Sequence, residues 1–290
     1  MKWKIGRRSD NVVDARGSTP RIGGLGGGRL SLGAVAAVVV ISLLLGKNPI
    51  EMLGLLGEMT GGVPVEQPQG GPPQASDEGA DFVRAILGET ETVWSELFQQ
   101  SGRAYEAPTL VLFAQSVTSA CGSASAASGP FYCPGDRQVY LDMSFFGEMQ
   151  QRLGGGGDFA YAYVIAHEVG HHVQTLLGVS DRVSQVRRSG GSVQGDNGLS
   201  VRQELQADCY AGVWAHQAEQ RLQWLEAGDV EEALNTASAI GDDRLQKQMQ
   251  DTVVPDAFTH GSSEQRVRWF RAGFESGDTG RCDTFAADRL

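Results

Sequence analysis

Apolar residues run along this 290-residue chain in three rhythms. The first is unbroken: residues 30–46, LSLGAVAAVVVISLLLG, carry no charge between Arg29 and Lys47. That length is the short end of what spans a bilayer as a helix, and the two flanking cations can reach the interfaces. The second rhythm has a period of 3.6. Residues 77–100 place Phe82, Ile86, Leu87, Val93, Trp94 and Leu97 at helical spacing and stop at Ser101-Gly102. The third is a set of short β-branched and aromatic runs at residues 109–113, 129–133 and 138–142. The last two are joined by Pro134-Gly135-Asp136, so a small sheet, antiparallel or mixed, is predicted there.

Beyond the sheet the helical period returns. Residues 143–153 read as a short helix, 154–157 as a glycine breaker, and Asp158 as the N-cap of a long apolar helix. Residues 180–200, dense in Ser, Gly, Asp and Arg, read as a long loop, while 122–128, all small residues, read as a loop that could wall a substrate groove. Helices are predicted over 201–226 and 230–250, and Ser262-Ser263-Glu264-Gln265 is a capping box opening a last helix through Trp269, Phe270 and Phe274. Residues 60–76, TGGVPVEQPQGGPPQAS, have nothing to pack and read as a flexible tether. The pattern predicts an α+β fold, mostly helical with a small sheet, preceded by one transmembrane helix. Its divisions are 1–29, a basic segment; 30–46, the anchor; 47–77, the tether; and 78–290, the folded domain.

Charge assigns sides to these pieces. The chain has a net charge of −11, but residues 1–46 carry seven Lys or Arg against Asp10 and Asp14, leaving an acidic body of 17 basic and 33 acidic residues. An acidic body argues against nucleic acid as a partner. The basic head, by the positive-inside rule, predicts a single-pass protein of the cell membrane with its N-terminus in the cytoplasm and residues 78–290 outside. A cleaved signal peptide is the rival, but its basic region would be 29 residues long, and no A-x-A site follows the apolar run. An exported domain permits disulfides. Cys121, Cys133, Cys209 and Cys282 form no C-x-x-C and allow three pairings. Pairing Cys121 with Cys133 would close the sheet loop and leave Cys209 to tie its helix to Cys282; four reduced thiols are the alternative.

The chemistry is concentrated in Ala166-His167-Glu168-Val169-Gly170-His171-His172, which contains H-E-x-x-H. On a helix His167 and His171 lie one above the other, so two imidazoles can reach one ion, with Glu168 about 100° away to hold a water and take its proton. The flanks, residues 159–166 together with Val169, Val173 and Leu176, are apolar and would bury this helix, and two histidines with a glutamate inside a core need a reason. His172 faces away and reads as structural. Catalytic zinc takes three protein ligands and keeps one open position. A third histidine is ruled out because Gln174 and Leu177 stand where the extended histidine motif needs Gly and His. Glu204-x-x-x-Asp208, in apolar surroundings, supplies the alternative: Glu204 on the metal, and Asp208 one turn on to accept the ring N–H of His167. His216 reads as structural, since a fourth protein ligand would close the site.

The stretches AHEVGHHVQ, RQELQADCYAGVWA, GPFYCPGDRQVYLD and THGSSEQRVRWFRAGFESGD together resemble a bacterial family of membrane-anchored neutral zinc metallopeptidases, over about residues 78–290. The pairing of H-E-x-x-H with E-x-x-x-D is more distantly similar to thermolysin-like and CAAX-protease-like gluzincins. The resemblance implies a zincin-like fold, one zinc ion on His167, His171 and Glu204, Glu168 as general base, and a peptide or protein substrate. It also implies a role for His260: Thr259-His260 followed by Arg266 resembles a late stretch of the CAAX-type relatives, in which a histidine stabilises the oxyanion. A structural histidine at a helix entry is the alternative for His260. The expectation is a membrane-tethered, exported zinc endopeptidase; the rivals are a catalytically inactive metal-binding envelope protein and an assembly factor on the same fold.

Overall fold

A computed structural model describes residues 1–17, 77–125, 128–153, 156–250 and 252–290. The expected anchor, 30–46, and the tether up to residue 76 lie outside the described residues. Among the described residues no helix is long and apolar enough to cross a membrane.

A 3-10 turn at Trp3–Ile5 and strand β1 (Val12–Asp14) precede the undescribed stretch, and helix α1 (Glu78–Gln100) follows it. Asp77 caps α1 by accepting from the backbone N–H groups of Gly79 and Ala80. Strands β2 (Thr109–Phe113), β3 (Ser116–Ser119), β4 (Gly122–Ser125), β5 (Phe131–Cys133) and β6 (Gln138–Asp142) follow. The main sheet has the order β1-β2-β6-β5, with β1, β2 and β6 parallel and β5 antiparallel to β6, so it is mixed and β5 is an edge. β3 and β4 form a separate hairpin, with β4 occupying part of residues 122–128, which read as a loop. With so few side chains able to pack, their pairing is carried by the backbone.

The helical half comprises α2 (Ser144–Glu148), α3 (Asp158–Leu176), α4 (Val179–Arg188), α5 (Leu199–Leu222), α6 (Asp229–Ala239), α7 (Asp242–Gln250) and α8 (Ser263–Ser276). α3 lies at the centre, in contact with α1, α5, α6 and the sheet, and Phe159, Tyr163, Val169 and Val173 are fully buried. α5 and α8 cross in close contact at two glycines. A Cβ on Gly212 would stand 2.1 Å from the Phe270 carbonyl oxygen, and one on Gly273 would stand 2.0 Å from that of Cys209. Both disulfides expected from the spacing are present: Cys121–Cys133 staples the β5 turn, and Cys209–Cys282 ties α5 to the C-terminal segment.

Several boundaries differ from the sequence reading. Residues 179–188 are helical because Val179, Val183 and Val186 keep a helical spacing beneath the Ser and Arg residues, and only 189–198 form a loop. Asp158 is the first residue of α3 rather than its cap; the Phe159 N–H is met by Glu232 of α6 instead. The helix expected over 230–250 is broken at residues 240–241, where Asp242 turns to accept from the backbone N–H groups of Thr259, His260 and Gly261. The capping box on Ser262 and Gln265 is formed.

Candidate metal centre

α3 presents His167 and His171 from successive turns of one face, with ring centroids 4.8 Å apart and planes nearly perpendicular. α5 packs across that face and brings Glu204 to both: its Oε2 lies 3.3 Å from His167 Nε2 and 3.4 Å from His171 Nε2. One donor atom from each of the three residues falls within 4.8 Å of the others. They line a cleft of about 610 Å³ together with Glu168, His260 and Tyr132.

Each ring is oriented from behind. His167 donates from Nδ1 to Asp208 (2.8 Å), and His171 donates from Nδ1 to Gln174 Oε1 (2.9 Å), so both Nε2 atoms face the cleft. Gln174 is itself fixed by donating to the Gln203 carbonyl and to Gln206 Oε1. Asp208 is fully buried and accepts from two further groups: the Tyr163 hydroxyl (2.6 Å) and the Arg266 guanidinium, whose Nε and Nη2 each lie 2.9 Å away. This carboxylate is thus satisfied on both oxygens by a histidine, a tyrosine and a two-armed arginine.

The electrostatics follow from this packing. Burial alone would push the His167 imidazole down, but the carboxylates of Asp208 and Glu204 outweigh it and hold the pKa at about 10. His171 is likewise raised, burial being outweighed by Glu204. Burial opposes the charged forms of Asp208 and Glu204, yet Arg266 and His167 bring Asp208 to about 2, and the two histidines hold Glu204 well below the usual carboxylate range. Glu168 differs: burial raises it, against the pull of the two histidines and a hydrogen bond from the Tyr132 backbone. A carboxylate with a raised pKa beside a cation site suits a proton acceptor.

His260 lies at the mouth of the same cleft with a side chain about half exposed, and its Nδ1 is 3.3 Å from Asp242. That carboxylate raises its pKa. His172 and His216 are held by backbone carbonyls, of Glu106 (2.6 Å) and Phe274 (2.7 Å), as structural histidines are. Tyr163 and Gln174 join the site without belonging to its metal-binding motif. Their signal is local: Tyr163 stands one turn before His167, and Gln174 three residues after His171.

The donor set fits zinc: two imidazoles with orienting partners, one carboxylate, and a cleft on the remaining side. The profile of the family described as "Putative neutral zinc metallopeptidase" matches residues 1–285. The Escherichia coli K12 protein YpfJ, itself uncharacterized, is 48% identical over 290 residues, covering 98% of this chain and 99% of its own. Uncharacterized proteins Mb2605 of Mycobacterium bovis and Rv2575 of Mycobacterium tuberculosis are 44% identical over 210 residues, 69% of this chain and 68% of each of theirs. No solved structure matches. With its profile matched almost end to end and a relative at this identity over nearly the whole chain, the protein belongs to the neutral zinc metallopeptidase family.

Proposed function

We propose that the protein is a zinc-dependent endopeptidase, exported and held at the membrane through residues 30–46. The observation that carries this reading is the combination of a three-donor site with a buried glutamate, Glu168, beside it on the same cleft. A structural metal has no use for such a base, which favours catalysis over an inert metal-binding role.

Zinc at His167, His171 and Glu204 would supply Lewis-acid polarisation of the scissile carbonyl and a water acidified to a pKa of about 7. Glu168 takes the proton of the attacking water and later hands it to the leaving amine. Asp208 and Gln174 keep both imidazoles in the tautomer that exposes Nε2. The edge strand β5, whose Phe131 and Tyr132 line the cleft, offers backbone groups to an extended peptide. His260, at the mouth, donates toward the oxyanion. The test is metal content and casein hydrolysis by the purified full chain, before and after chelation. About one zinc per chain, with hydrolysis lost on chelation and regained on zinc addition, supports the proposal; metal-independent hydrolysis, or none with zinc bound, overturns it.

A further inference from the structure

The first 17 residues form one compact unit with the described residues from Asp77 onward. The contacts are specific and run the length of the segment. The Lys2 N–H donates to the Trp224 carbonyl (2.7 Å), and Trp3, 6% exposed, stands edge-on to Phe82 of α1 at 5.4 Å. Arg8 grips Asp81 with two hydrogen bonds of 2.8 and 2.7 Å, and the Ser9 N–H donates to the Arg84 carbonyl. β1 then lies parallel to β2 in a three-residue register, extended by Leu110 N–H to Asn11 O and Ala15 N–H to Leu112 O.

The sequence of α1 is adapted to this segment in two places. Glu91 is buried at 7% exposure, and the partners of its carboxylate are Ser9 Oγ (2.6 Å), Asn11 Nδ2 (2.7 Å) and the Arg7 guanidinium. All three partners come from residues 7–11, so the N-terminal segment both covers this carboxylate and supplies its hydrogen bonds. Gly88 sits in mid-helix, where glycine is unfavourable by about 1 kcal/mol relative to alanine. A Cβ there would stand 2.3 Å from the Arg7 carbonyl oxygen, so α1 is notched where the N-terminal chain crosses it.

The two flanks of the undescribed stretch also meet. Arg16 pairs with Asp14 and with Asp77, the residue that caps α1, so the two described flanks lie side by side. A single crossing by residues 30–46 would instead set Arg16 and Asp77 on opposite sides of a hydrocarbon layer about 30 Å thick.

We infer that residues 1–17 fold on the same side of the membrane as the catalytic domain, as its first sheet strand and an α1 strap. This rests on the proposed membrane attachment but replaces the single-pass orientation expected from the basic head. The two disulfides put that face on the oxidising side.

The test uses the full chain in cells stripped of their outer layer. Asp10→Cys and Glu275→Cys, each at an exposed position, are treated with a membrane-impermeant maleimide. Labelling of both before lysis is the expected result. Labelling of Glu275→Cys before lysis and of Asp10→Cys only after it overturns the inference. Alkaline carbonate extraction separates the two claims: release of the chain from membranes removes the attachment reading, whatever the labels say. A second measurement uses the Arg8–Asp81 pair. Arg8→Asp in the full chain should lower the melting temperature, and adding Asp81→Arg should restore it; a second substitution without effect means the segment is not docked.

Discussion

Replacing Asp208 by asparagine removes the charge, and one of two acceptor oxygens, at a fully buried point where four donor hydrogens converge. The new amide donors would face the Arg266 guanidinium or the Nδ1–H of His167. Two losses follow, and they separate. Arg266, 3% exposed, loses its counter-charge, and stranding a buried charge costs about 3–5 kcal/mol. For a domain of this size that lowers the melting temperature by roughly 6–20 °C, at about 2–4 °C per kcal/mol. The His167 ring also loses its orienting partner, which weakens metal affinity by about 10–100-fold, or roughly 1.4–2.8 kcal/mol. Adding Arg266→Met should recover most of the stability, because both members of the pair are then gone. It should leave zinc affinity low, because the carboxylate is still missing. Thermal unfolding of the metal-free proteins, together with zinc dissociation constants against a competing chelator at fixed pH, reads the two effects independently. A wild-type melting temperature in Asp208→Asn, or recovery of zinc affinity in the double variant, would refute this account of the network.

Glu204→Ala should lose zinc and hydrolysis together, since two imidazoles are too few to hold a catalytic ion; retention of one zinc per chain by metal analysis contradicts the ligand assignment. Zinc affinity should fall as pH falls. The metal-free His167 is held at about 10 and His171 is raised as well, so at neutral pH zinc must displace protons, and each proton released weakens apparent binding about tenfold per pH unit lowered. Calorimetry in buffers of different ionisation enthalpy should find at least one proton released per zinc at pH 7, and a pH-independent affinity contradicts the assignment.

The legible parts of this site were those whose geometry is local. H-E-x-x-H needs only one helix to bring His167, Glu168 and His171 together, and ligand count then pointed to Glu204 and Asp208 on another. Arg266 was visible only as part of a resemblance. An arginine four residues into a capped helix looks solvated, and it reaches Asp208 because Gly212 and Gly273 let α5 and α8 cross closely enough. β1 was missed for a related reason. Val12-Val13 is too short a run to register as a strand, and the arginines around it read as a cytoplasmic charge cluster, whereas Arg7, Arg8 and Arg16 are paired with Glu91, Asp81 and Asp77. The break before α7 was hidden because the helical period continues through it; only the three backbone donors gathered by Asp242 reveal it.

The claim that most needs testing is that Glu168 is a base and not a structural acid. Glu168→Gln leaves His167, His171, Glu204 and their orienting partners in place and removes only the proton acceptor. Zinc stoichiometry and hydrolysis of a peptide substrate, measured on the same preparation beside wild type, give the answer. One zinc per chain is expected, with hydrolysis reduced by at least about 100-fold, the lower end of what a general base contributes. Hydrolysis at the wild-type rate with zinc bound would contradict it.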